Sequence, residues 1–181
     1  QRRFWLPGFR VAKTAVASWS ATDAKVNLNR VIDEALWCDV HGLRPQTVAF
    51  ASGAMRDGGG YRSTHALWGL VIARDKKCLD PQAFEKASAE VRAELKKAQP
   101  EAIGPGTLHE DLYAERLLFL LLAGERDATL GSWAQKLTAR QNADGSWGSR
   151  GERPYEQFHA TMVAAWALAV LGRQGVEALA K

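Results

Sequence analysis

The chain has 181 residues, 46% hydrophobic and 24% charged, which excludes a disordered segment and suits one well-buried domain spanning 1–181. Its net charge of +4 comes from 24 basic and 20 acidic side chains scattered along the sequence. No Lys/Arg run is interleaved with aromatics, so nucleic acid is not an expected partner. The longest strongly apolar stretch, Met162 to Leu171, is too short to span a bilayer.

In chain order, residues 10–20 carry a pattern too mixed to assign. Residues 22–38 read as an outer helix, with Val26, Val31, Ile32, Ala35 and Leu36 inward and Asp23 near its start. The link from His41 to Arg62 is long for a compact domain, which points to a functional or mobile loop. A helix led by His65 follows, apolar nearly all round, which predicts burial on every side.

Residues 80–99 form a second outer helix. Phe84, Ala87, Val91, Leu95 and Ala98 recur three or four apart, while Lys86, Glu90, Glu94 and Lys97 take the other face. Asp80 is its expected N-cap, Pro81 its first helical residue, and Pro100 follows its end. An inner helix led by His109 comes next, then an outer one over 130–141 with Trp133 and Leu137 inward, then an inner one led by His159. Gly-rich links precede each inner helix: 57–61, 104–106 and 144–148. Outer and inner helices thus alternate as three hairpins. The expected fold class is all-α, with successive helical hairpins and no sheet.

The three histidines stand at equivalent places, 44 and 50 residues apart, the period of a two-helix repeat. Only four histidines occur in the chain, so three in one register is a signal. If the hairpins stack in phase, His65, His109 and His159 approach one another. Three neutral imidazoles would suit zinc or another divalent transition metal, and a helix N-terminus keeps an imidazole neutral. Glu110 or Asp111 could then act as general base or orient an imidazole. Asp57 stands in the preceding Gly-rich link as a further carboxylate. Tyr61, Trp68 and Tyr113 are candidate ligand-binding walls. Against this stand plain structural readings: histidines that cap or pack, tryptophans that fill the core, and Glu110, Asp111 and Glu115 serving the helix dipole. Cys38 and Cys78 fit no cysteine-rich zinc spacing; they either pair, if the chain is exported, or stay as two buried thiols. The Cys38-x-x-His41 spacing is a weaker metal candidate. No signal peptide is visible and the chain begins at Gln1, so the compartment is open.

The segment 136–148 (Lys-Leu-Thr-Ala-Arg-Gln-Asn-Ala-Asp-Gly-Ser-Trp-Gly) resembles the QW repeat of the α/α toroids, which include squalene and oxidosqualene cyclases and prenyltransferase β-subunits. Leu137, Gln141, Gly145 and Trp147 fall at the motif's spacing, and 57–61 reads as a weaker copy. The resemblance implies that Gln141 ties the outer helix's carbonyls, Gly145 turns the chain, and Trp147 packs back across the hairpin. It also implies a toroid-like arc, three hairpins being about half a ring, and so an open arc, a fragment or one member of an oligomer. The cyclase Asp-rich acid motif and the prenyltransferase Asp-x-Cys zinc site are absent from the sequence. Nucleophile-elbow, phosphate-loop and dinucleotide motifs are absent too.

Three readings follow. The first is a toroid-like binding module whose histidine-lined concave site, with or without a metal, takes a small molecule. The second is a metal-dependent hydrolase or lyase, and the third a scaffold that takes a protein segment without chemistry.

Overall fold

The computed structural model describes residues 28–54, 56–99, 107–148 and 154–174. The unassigned stretch 10–20, the expected start of the first outer helix and the Gly-Pro-Gly link at 104–106 lie outside the described residues. Among those described, there are seven α-helices and no strand: α1 Leu28–His41, α2 Pro45–Ala49, α3 Tyr61–Asp75, α4 Pro81–Ala98, α5 Thr107–Ala123, α6 Ala128–Thr138 and α7 Pro154–Arg173. A π-helical turn, Phe50–Ala54, follows α2. The long link therefore has structure of its own, and its short helix begins on Pro45, a residue that suits the first turn.

The helices predicted as outer behave as their patterns require. In α4, Phe84, Val91 and Leu95 are fully buried, while Lys86 and Glu90 are exposed. Asp80 caps it, its carboxylate accepting from Ala83 N at 2.9 Å. Glu94 departs from its expected solvent face, because it accepts from Gly59 N at 2.8 Å and Ser63 Oγ at 2.6 Å. In α1, Val31 and Ala35 are buried but Leu36 is exposed, and Glu34 is buried in its place. Burial opposes the ionised Glu34, yet hydrogen bonds from Arg44, Thr47 and Arg30 hold its carboxyl below the usual range.

The histidine-led helices α3, α5 and α7 run side by side, with α5 in the middle. It packs against α7 most extensively and against α3 on its other side, while α1 backs α3. Leu67, Leu70, Ile72, Leu117, Leu118, Leu120, Leu121, Val163 and Ala167 join one contiguous core across them. Burial on every side holds for much of α3 and α5, not for α7. There Tyr155, Phe158 and Met162 are 75%, 64% and 43% exposed. An all-round apolar sequence fixes which helix can enter a core, but only the number of neighbours decides how much of it is covered. None of the described helices is long and apolar enough to cross a membrane.

Close approach makes one link residue indispensable. Gly59 has φ of +85°, and a Cβ on it would fall 2.2 Å from the Cβ of Ala98. Its carbonyl also accepts from the buried Arg116 Nε at 2.6 Å. Gly59→Ala combines a left-handed backbone with a collision against a helix, so a loss of roughly 2–4 kcal/mol is expected. A urea denaturation midpoint comparison measures it.

Candidate functional site

The site is set by helical spacing. On α3, Tyr61, Thr64 and His65 share one side of the first two turns; on α5, Asp111 and Glu115 lie one turn apart; on α7, His159 stands near the start. Because α5 lies between the other two, side chains from all three meet over its first turns. His159 Nδ1 lies 2.8 Å from Asp111 Oδ1, and the Tyr61 hydroxyl donates to Asp111 Oδ2 at 2.7 Å. His65 Nδ1 lies 2.8 Å from the carbonyl of Tyr61 and 3.7 Å from Glu115 Oε2. Asp111, Glu115 and His159 each offer a donor atom, all within 4.8 Å of one another.

Electrostatics make this more than a chance cluster. Glu115 is almost wholly buried, and burial pushes its carboxyl up to about 8, with the Asp111 charge adding to the rise against the opposing Thr64 hydrogen bond. Proton counting agrees. The Thr64 hydroxyl lies 2.6 Å from Glu115 Oε2 and 3.0 Å from the Tyr61 carbonyl, with one proton for two acceptors. A protonated Glu115 supplies the missing one. Burial holds His65 below the usual imidazole range, which makes it neutral at pH 7. Burial, and the hydrogen bond to Asp111, raise the Tyr61 phenol and keep it a donor.

An aromatic wall adjoins the charged layer. Trp68 stacks on Phe119 with centroids 5.5 Å apart, and both meet the His65 ring edge-on at 5.9 and 6.4 Å. On the other flank Tyr155 stacks over His159 at 6.4 Å.

The residues expected from sequence distribute unevenly. His65 and His159 border the same pair of carboxylates, Asp111 and Tyr61 are bonded within the cluster, and Trp68 flanks it. The His109 side chain lies outside the described residues. Glu110 points to different partners. It accepts from Arg140 Nη2 at 2.9 Å and from Gly148 N at 2.6 Å, so it anchors the link before α7. Asp57 is likewise engaged in its own turn, accepting from Ser63 N and Arg62 N, both at 3.1 Å. Tyr113 is fully buried in the core, two residues round the helix from Asp111.

Cys38 is bonded to Cys78, with Cα atoms 6.0 Å apart, and is not a thiolate ligand beside His41. Gln141 does not tie the carbonyls of α6: its amide donates to Gly145 O at 2.9 Å. The indole Nε1 of Trp147 makes that tie, on Leu137 O at 2.8 Å. Gly145 turns the chain at φ of +85°.

Thr64 is the member that sequence reasoning passed over, and Glu115, read there only as serving the helix dipole, belongs to the cluster. A signal for Glu115 was present, since Asp111 and Glu115 are four apart on one helix, which puts both carboxylates on the same face. Comparison of the chain with family models, with curated proteins and with solved structures finds no match.

Proposed function

We propose that this chain is an α/α-toroid-like binding module whose inner helices α3, α5 and α7 hold a divalent transition metal at Asp111, Glu115 and His159. The observation that carries the reading is the convergence of two buried carboxylates and an imidazole from two helices, flanked by a neutral imidazole from a third. Two carboxylates four residues apart in a buried setting repel each other, and a dication offsets both charges where one proton offsets only one. Bonds of about 2.0–2.2 Å to each ligand need donors no more than about 4.4 Å apart. Closing from 4.8 Å is a side-chain adjustment. Tyr61 and Thr64 hydrogen bonds then orient the two carboxylates, as outer partners do around bound metals.

The toroid-like arc is supported by the alternation of the helices and by the turn at 141–148. There Trp147 locks the end of α6 to the link leading into α7. Neutral His65 favours a second reading, a hydrolase or lyase. With Nδ1–H directed at the Tyr61 carbonyl, its Nε2 keeps a lone pair, the form that a base toward metal-bound water requires.

Protein prepared without a histidine tag and titrated with Zn²⁺ should bind one equivalent. His159→Ala and Asp111→Asn should each weaken binding by at least 100-fold while the helical circular-dichroism signal is kept. Glu110→Gln should leave the affinity within about threefold. Absence of stoichiometric binding to the parent protein, or equal affinity in all three variants, overturns the reading.

A further inference from the structure

We propose that the Cys38–Cys78 bond is a redox-sensitive latch on the arm formed by α1 and α2, opened by a dithiol that enters at Cys78. The latch is independent of the metal cluster.

Topology isolates the arm. Helix α1 packs chiefly on α3 and on α2, and it is the π-helical turn after α2 that reaches α4. A cleft lined by Val31 and Ala35 of α1, Val48 of α2, and Gly69, Leu70 and Ala73 of α3 runs along the seam, so its packing is incomplete. Beside that packing, two links tie the far end of α1 to the body. One is the disulfide, the other an ion pair between Asp39 Oδ1 and Lys76 Nζ at 2.8 Å. A solvated pair of this kind holds weakly, which leaves the covalent bond as the main tie.

The two sulfurs are not equivalent. Cys38 lies near the end of α1 and is 4% exposed. Cys78 is half-buried in the turn between α3 and α4, with Lys77 exposed beside it at a φ of +64° and Lys76 two residues back. Exchange needs a thiolate to reach one sulfur, and neighbouring cations draw it in. Leaving-group chemistry favours attack on the other sulfur, because lysines stabilise a departing Cys78 thiolate and the carbonyl end of α1 opposes one at Cys38. Access decides, since a sulfur under a packed helix is out of reach until the helix moves.

A thiolate of the dithiol attacks Cys78 Sγ, the S–S bond breaks, and Cys38 leaves as a thiolate that takes the proton the dithiol gave up. The second thiol of the reductant then closes on the mixed disulfide and releases Cys78 as a thiol. Two electrons pass from the dithiol to the pair, leaving two thiols on this chain and a disulfide on the reductant. With its far end untied, α1 keeps only noncovalent packing, and the population in which the arm leaves α3 rises.

The oxidised full chain, treated with glutathione as a monothiol probe, quenched with N-ethylmaleimide and peptide-mapped, should carry glutathione on Cys78 in about tenfold or greater excess over Cys38. Chymotrypsin cleavage after Trp37, half-buried in α1, should quicken by about tenfold or more once dithiothreitol has reduced the bond. Cleavage after the buried Trp133 of α6 should change by less than about twofold. Reoxidation should restore the slow rate at Trp37. The double variant Cys38→Ser with Cys78→Ser should be cut there at the reduced rate, with or without dithiothreitol. Glutathione shared equally or found chiefly on Cys38, or a bond that dithiothreitol leaves intact in the folded chain, would overturn the entry at Cys78. An unchanged rate at Trp37, a double variant cut at the oxidised rate, or equal acceleration at both tryptophans would overturn the latch itself.

Discussion

Unfolding free energy of the ion-free protein should fall as pH rises from 6.5 to about 8, and Glu115→Gln should abolish that fall. Glu115 titrates at about 8 in the folded chain against 4.5 for an ordinary carboxyl. Between those values the folded protein holds a proton that the unfolded chain has released. Stability therefore drops with rising pH across the window, by about 1.4 kcal/mol per unit for a single group, and levels off above the folded value. Neutral His65 has the opposite slope but acts below its unfolded value of 6.5, so the upper half of the window isolates Glu115. Urea titrations at pH 6.5, 7.2 and 8 measure it. Saturating Zn²⁺ should reverse the sign, because the ion takes the proton's place and binds better as pH rises. A flat profile in the parent protein would show that Glu115 is ionised throughout and that its burial is relieved in another way.

That behaviour could not have been read from the sequence, although much of its frame could. Helical periodicity placed Pro81–Ala98 within a residue at each end, with its cap at Asp80, because one-sided burial and capping are both local. Counting repeats led to an expected meeting of three imidazoles; the structure sets His65 beside Glu115 and His159 beside Asp111, with carboxylates of α5 at each. What escaped was rotation about each helix axis. Glu110 and Asp111 are adjacent in sequence, yet about 100° of helical turn sends one to Arg140 and the other to Tyr61 and His159. The same rotation puts Tyr113 into the core. Likewise Glu34, which sequence reasoning did not single out, is buried because Arg30 of α1, Thr47 of α2 and Arg44 just before α2 reach it. The exposed line on α7 was hidden for a related reason: composition states how apolar a helix is, while its neighbours decide which side stays bare.

The second large effect is expected at the bond between Cys38 and Cys78, which joins the end of α1 to the turn between α3 and α4 across 40 residues of sequence. Closing a loop of that size removes conformations from the unfolded chain, and the chain-entropy relation gives about 4 kcal/mol for it. In a chain of this length that corresponds to a midpoint lower by about 8–16 °C when the bond is reduced or when both cysteines become serine. The position of the bond also says where the loss should appear. Helix α1 packs so closely on α3 that a Cβ at Gly69 would come within 2.6 Å of Val31 Cγ1, and α3 carries Tyr61, Thr64 and His65. Its remaining contacts with α4 and α5 do not depend on the bond. Reduction should therefore raise amide exchange first in α1 and α2, with α5 and α7 still protected and Zn²⁺ affinity within about threefold of the oxidised protein. Simultaneous loss of protection in α1 and α5 would mean that the bond holds the whole helical stack together, and that the cluster over α5 survives only in the oxidised chain.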